Sequence, residues 1–123
     1  MKDVLYIRHL IRATGNTLCG IKDVLRSSCS FRQEVAFGLA QFVMLAIVQE
    51  CIWVKMGLVS LWVLLLAAEL INSAVESVVD LVSPDWNEYA KHAKDYCSAA
   101  VSLIVLLLAA NWILVIVRQF GLL

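Results

Sequence analysis

Residues 56–80 read MGLVSLWVLLLAAELINSAVESVVD: an apolar run from Met56 to Ala68, then Glu69, Asn72, Glu76 and Asp80 at steps of three and four. The helical period carries through both halves, so one helix is predicted that begins in hydrocarbon and ends in water. At 100° per residue the four polar side chains fall within an arc of about 80°. An ionisable group placed in hydrocarbon costs about 2.5–3.5 kcal/mol, so such a stripe implies a partner, a cavity or a ligand. Three acids on one face also repel each other. A cation between them relieves this, and Mg²⁺, which takes hard oxygen ligands, is the expected one. Glu69 stands directly against the apolar run, where incomplete solvation suits a carboxylate to taking a proton. For Asp80, and for Glu76, the solvated end of a helix leaving the membrane is a competing reading.

The composition agrees with a membrane location. Hydrophobic residues make up 62% of the 123, charged residues only 16%, and the mean hydropathy is +0.84, far above what a soluble domain needs. Long Leu, Val and Ala runs with little strand-like alternation predict an all-α fold. A formal net charge of zero offers no cationic surface for phosphates, which excludes nucleic acid as a partner. Cys19, Cys29, Cys51 and Cys97 form no C-x-x-C pair and read as free thiols. Charges at Lys2, Asp3, Arg8, Arg12, Lys22, Asp23, Arg26, Arg32 and Glu34 leave no apolar core for a cleavable signal peptide in the first 34 residues.

Residues 1–123 are expected to divide into a surface helix and three membrane helices in one domain. In residues 1–30, Ile7, Ile11, Leu18, Ile21 and Leu25 form a stripe beside Arg8, Arg12, Lys22 and Arg26, which fits a helix on the membrane surface or one packed on the protein's own bundle. Val35–Val48 is apolar apart from Gln41 but gives only about 21 Å of helix, so the first membrane helix is expected to run on through Gln49 and Glu50, over 35–54. The second is expected over 56–82. The third, over 94–118, is broken only by Ser98, Ser102 and Asn111 within its apolar part, and Pro84 marks the polar connection before it. Lys2, Arg8, Arg12, Lys22, Arg26, Arg32, Lys91 and Lys94 fall on one side against Lys55 and Arg118 on the other, which puts the amino terminus and the acidic helix end in the cytoplasm.

Phosphate-binding loops are absent. GNTLCGIK (15–22) has two suitably spaced glycines, but Lys22 stands one place late, no Ser or Thr follows it and no strand precedes it. A protein-kinase glycine loop and an H-R-D motif are also missing. Lys94 and Ser98, four apart, share a helix face, and Ala99 and Ala100 allow close helix approach. Lys94 beside Asp95 also reads as an ordinary interfacial ion pair. His9 and His92 read as surface residues.

FRQE (31–34), AELINSAVESVVD (68–80) and AKDYCSAAV (93–101) together resemble the bacterial integral-membrane diacylglycerol kinase family, over nearly the whole chain. The resemblance implies a homotrimer in the bacterial inner membrane, with composite active sites between subunits at the cytoplasmic interface and ATP and Mg²⁺ as cofactors. The substrate it implies is diacylglycerol, phosphorylated to phosphatidic acid. By this resemblance Glu69 is the general base, Glu76 the Mg²⁺ ligand, Asn72 a supporting polar group, and Lys94 with Asp95 the pair near the nucleotide. Asp80 joins the nucleotide side. Arg32, Gln33, Glu34 and Ser98 line the lipid's way in, and Trp86 and Asn87 hold the base and ribose. Four positions depart from the family pattern. Ser28 stands where a metal-binding Glu is usual, so metal affinity is weakened, a water replaces the carboxylate, or Asp23 reaches in. Asn16 and Thr17 replace a Tyr-Ser pair near the phosphates, and His9 replaces an Arg.

Other functions stay open on the residues alone. Undecaprenol phosphorylation uses the same chemistry, with Ser98, Ala99 and Ala100 leaning towards diacylglycerol. An ion-conducting oligomer with no enzymatic activity explains Glu69 but leaves Lys94, Asp95 and the polar continuation to Asp80 unexplained. Ser28 also fits an altered or inactive family member.

Overall fold

The computed structural model describes residues 2–121, and the side chains of residues 12–121. It has four helices: α1 (Lys2–Ser27), α2 (Cys29–Ile47), α3 (Ile52–Val82) and α4 (Glu88–Gln119). No strand occurs among the described residues. α3 and α4 are the two described helices long and apolar enough to cross a membrane. At 31 and 32 residues they extend about 46 and 48 Å, well beyond a ~30 Å hydrocarbon core. Each therefore has a length of helix to spare for water.

The helix ends differ from the sequence expectation, each for a local reason. α1 stops at Ser27, not residue 30, because Ser28 takes an extended conformation (φ −90°, ψ 121°) and caps α2 by accepting the Phe31 N–H on its hydroxyl. α2 does not run on to residue 54. Val48 turns extended (φ −70°, ψ 134°), the Gln119 side chain accepts the Gln49 N–H at 3.2 Å, and Glu50 lies 4.0 Å from the Arg118 guanidinium. The end of α4 thus satisfies a turn where sequence alone predicts continuing helix. Ile52–Val54 consequently belong to α3. α4 opens at Glu88, six residues before the expected 94, because the Asn87 side chain accepts the N–H groups of Tyr89 and Ala90 and Glu88 complements the helix dipole.

α2 and α4 both pack against α3, and the end of α1 touches α2 and α3. Leu45, Leu58, Leu65, Leu108, Trp112 and Val115 form the buried core. Gln41, the lone polar residue in the apolar part of α2, is fully buried there. Its amide N–H donates to the Leu58 carbonyl at 3.4 Å and its oxygen accepts the Trp112 indole N–H at 3.1 Å, so one side chain ties three helices together. Many other large apolar side chains are exposed, Leu39, Val43 and Leu106 among them. That is the surface a lipid-solvated protein presents.

Gly38 sets the approach of α2 to α3. A Cβ there would overlap Cε2, Cζ2 and Nε1 of the Trp62 indole. Without it, Trp62 lies along α2, donates its N–H to the Glu34 carbonyl at 2.9 Å and meets the Phe42 ring edge-on at 5.6 Å. Gly38→Ala is expected to destabilise the protein by about 1–3 kcal/mol, the usual cost of overfilling a packed contact. Thermal unfolding in detergent measures this, and an unchanged midpoint would contradict the close packing.

Candidate active site

Past Ala68, the polar stripe of α3 faces the α1–α2 junction and the first half of α4. A cavity of about 550 Å³ opens there, lined by Ser28, Glu34, Glu69, Asn72, Glu76, Asp80 and Ser98 among others. Glu69 is 4% exposed and Asn72 8%, whereas Glu76 and Asp80 reach solvent. The stripe therefore runs from buried to wet along one helix face.

Hydrogen bonds order this wall. The Ser28 hydroxyl donates to Glu69 Oε1 at 3.2 Å, and Asn72 Nδ2 donates to Glu76 Oε1 at 3.3 Å. Asn72 Oδ1 and Glu34 Oε2 are buried without a hydrogen-bond partner among the described residues. Glu34 precedes the apolar stretch that begins at Val35. Its carboxyl is pushed up to about 7, first by burial and then by the negative charge of Glu69. Between about pH 4.5 and about 7 the folded chain holds a proton on Glu34 that the unfolded chain releases, so stability falls as pH rises through that window. Glu34→Gln is expected to remove this part of the pH dependence. Unfolding midpoints of both proteins from pH 4 to 8 check it; parallel curves would contradict it.

Lys94 pairs with Asp80 across the α3–α4 hairpin, and Asp95 is exposed, one residue round the helix. The Lys94–Asp95 ion pair drawn from adjacency is thereby corrected: neighbours on a helix point about 100° apart, while Asp80 faces Lys94 across the turn. A smaller cavity of about 260 Å³ lies beyond, lined by Asp80, Pro84, Trp86, Asn87, Lys91 and Lys94. Trp86 is 82% exposed there, and the carbonyl of the Asn87 side chain is engaged in capping α4.

A third cavity, of about 580 Å³ and mostly apolar, runs between α2 and α4 over Leu65, with Phe37, Leu108 and Trp112 in its walls. Ser30 and Glu34 line both this groove and the acidic cavity, so the two meet. Gln33 lines the groove as well. Arg32 does other work: its guanidinium donates to the carbonyls of Leu25 and Arg26 and closes the end of α1. Asn16 and Thr17 are exposed on α1, with the Thr17 hydroxyl bonded to the Ala13 carbonyl, and neither lines these cavities. The side chain of His9 lies outside the described residues. His92 is exposed and stacks on Tyr96, and the four cysteines are unpaired.

An arrangement of this kind suits an amphiphile, with an oily body in the groove and a hydroxyl delivered to a carboxylate. Comparison with known proteins bears directly on that. Residues 15–116 match the family model for prokaryotic diacylglycerol kinase. The chain is 32% identical over 118 residues to the diacylglycerol kinase of Escherichia coli K12, covering 91% of this chain and 92% of that one. It is 37% identical over 100 residues to that of a Sinorhizobium species (80% and 72%), and 30% identical over 106 residues to that of Haemophilus influenzae (86% and 90%). This chain belongs to the prokaryotic diacylglycerol kinase family.

For this member of the diacylglycerol kinase family, the oxygen donors on α3 fit a hard divalent cation. Among the described residues no three His, Cys, Asp or Glu side chains gather to hold a metal by themselves. Mg²⁺ does not require that, since it is commonly bound by one or two carboxylates together with substrate phosphates. Glu76 and the unpartnered Asn72 Oδ1 are the groups available for it. The Ser28 hydroxyl is engaged with Glu69 and the Phe31 N–H. The apolar groove and its Phe37, Leu65 and Trp112 were missed by sequence reading, because nothing local distinguishes groove-lining from lipid-facing apolar residues.

Proposed function

We propose that this protein transfers the γ-phosphoryl group of ATP to the free hydroxyl of diacylglycerol, giving phosphatidic acid and ADP. The observation that carries this is the apolar groove meeting the acidic cavity, with Glu69 buried in the cavity wall and Glu34 shared between the two. In this reading the acyl chains lie in hydrocarbon and the groove while the hydroxyl reaches Glu69. Glu69 takes the hydroxyl proton as the oxygen attacks the γ-phosphorus. Lys94 offsets charge on the phosphates, and Asp80 holds its ammonium in place. Glu76 and Asn72 would hold Mg²⁺, which when bound draws charge off the phosphate oxygens.

The same reading takes α2 from Val35 onward as a third membrane span, the amino terminus and the acidic cavity as cytoplasmic, the inner membrane as the location and a homotrimer as the working assembly. Exposed apolar surface on every helix leaves ample area for copies to associate.

Purified protein in bicelles, given Mg-ATP and equal amounts of diacylglycerol and undecaprenol, tests the assignment. Phosphatidic acid is expected as the main product. Undecaprenyl phosphate in its place would reassign the substrate, and proton flux in liposomes without ATP consumption would replace the kinase by a conducting oligomer.

A further inference from the structure

We propose that Ser28 is a positioning residue for Glu69, its hydroxyl holding one carboxylate oxygen so that the other is presented to the cavity. This rests on the reading of Glu69 as the proton acceptor.

Ser28 occupies the break between α1 and α2, half-buried and extended. A hydroxyl has one proton to give and lone pairs to receive. Here both are used: the proton goes to Glu69 Oε1 at 3.2 Å and a lone pair takes the Phe31 N–H at 3.1 Å. The backbone N–H thus fixes the rotor of the hydroxyl that fixes Glu69. The junction is itself held, by Phe31, which is 3% exposed, and by Arg32 on the last carbonyls of α1. Glu69 lines the cavity, and of its two carboxylate oxygens Oε1 is the one that Ser28 holds. A carboxylate in place of Ser28 would face Glu69 with like charge, whereas a neutral donor steers it.

Capping and positioning separate by substitution. Ser28→Thr keeps both the cap and the donor. Ser28→Asp keeps the cap, since Asp is as good an N-cap as Ser, but replaces the donor by a negative charge. Ser28→Ala removes both. In the full-length protein, with diacylglycerol and Mg-ATP, Thr is expected to keep kcat within about threefold, while Asp and Ala lose roughly tenfold or more with KM for ATP little changed. The Asp variant is expected to unfold at nearly the wild-type temperature. Equal kcat for Asp and wild type would reduce Ser28 to a cap and overturn the proposal. A rise in kcat for Asp would instead make the position a weakened metal site, and loss in Thr equal to that in Ala would show that the hydroxyl is irrelevant. The infrared carboxylate band of Glu69, identified by difference against Glu69→Gln, needs no turnover: it should shift in Asp and Ala and stay in Thr. An unmoved band in Ala overturns the proposal, while a wild type that makes no phosphatidic acid overturns only the kinase assignment.

Discussion

Glu69→Gln should lower kcat for lipid phosphorylation by about 10²–10⁴-fold, the usual contribution of a positioned general base. The amide matches the carboxylate in shape and can still accept the Ser28 hydroxyl, so α3 and the cavity wall stay in place. What it loses is the capacity to take a proton from the substrate. Because the side chain is 4% exposed, water is poorly placed to substitute for it. KM for ATP should change little, since Glu69 sits at the groove end of the stripe and Lys94 and Asp80 lie further along towards the hairpin. Unfolding should hardly change, and removal of a charge facing Glu34 should if anything stabilise the fold. Steady-state kinetics with diacylglycerol, paired with thermal unfolding, checks both halves. A Gln variant retaining a third of wild-type kcat would remove Glu69 from the chemistry.

The second large effect is expected at Lys94. Lys94→Met should reduce kcat by roughly 10²–10³-fold, the scale on which removing one preorganised charge-stabilising group acts. A structural reading of Lys94 makes a different forecast. Its side chain is 37% exposed and that of Asp80 67%, so their ion pair contributes about 0–1 kcal/mol to stability. Loss of the pair alone therefore leaves turnover nearly intact. Asp80→Asn separates the two, because it breaks the pair and keeps the cation: activity should fall far less than in Lys94→Met. Lys94→Arg, which keeps charge but changes reach, should retain an intermediate rate. Equal, small losses in all three variants would make the pair merely a clasp on the hairpin.

Much of this was readable in the sequence where the signal is local. The run from Met56 to Asp80 is one helix because its apolar content and its 3.6-residue period persist across Glu69, and the stripe it predicts is the wall of the cavity. Pairings set by distant segments were not readable. The turn at Val48–Cys51 is met by Gln119 and Arg118, some seventy residues away, so in sequence alone the polar Gln49-Glu50 step reads as helix continuing towards an interface. An ion pair of Lys94 with its neighbour Asp95 is the one chain order suggests, because the α3–α4 hairpin that delivers Asp80 is not visible in sequence. Asn87 had a local signature, an Asn before Glu88 at the end of a Pro-containing link, but nothing in that signature distinguishes a helix cap from a ligand for ribose. At Ser28 the family pattern points to a metal-binding carboxylate, and chain order does not show that Glu69 comes within reach of its hydroxyl.

The most direct measurement is the fate of the γ-phosphoryl group: purified protein in diacylglycerol-containing bicelles, given Mg²⁺ and ATP labelled with ³²P at the γ position, followed through a single turnover. The expected result is label in phosphatidic acid, rising as ATP is consumed and absent in Glu69→Gln. Label appearing only as inorganic phosphate, or lipid labelled equally well by the Gln variant, would contradict it.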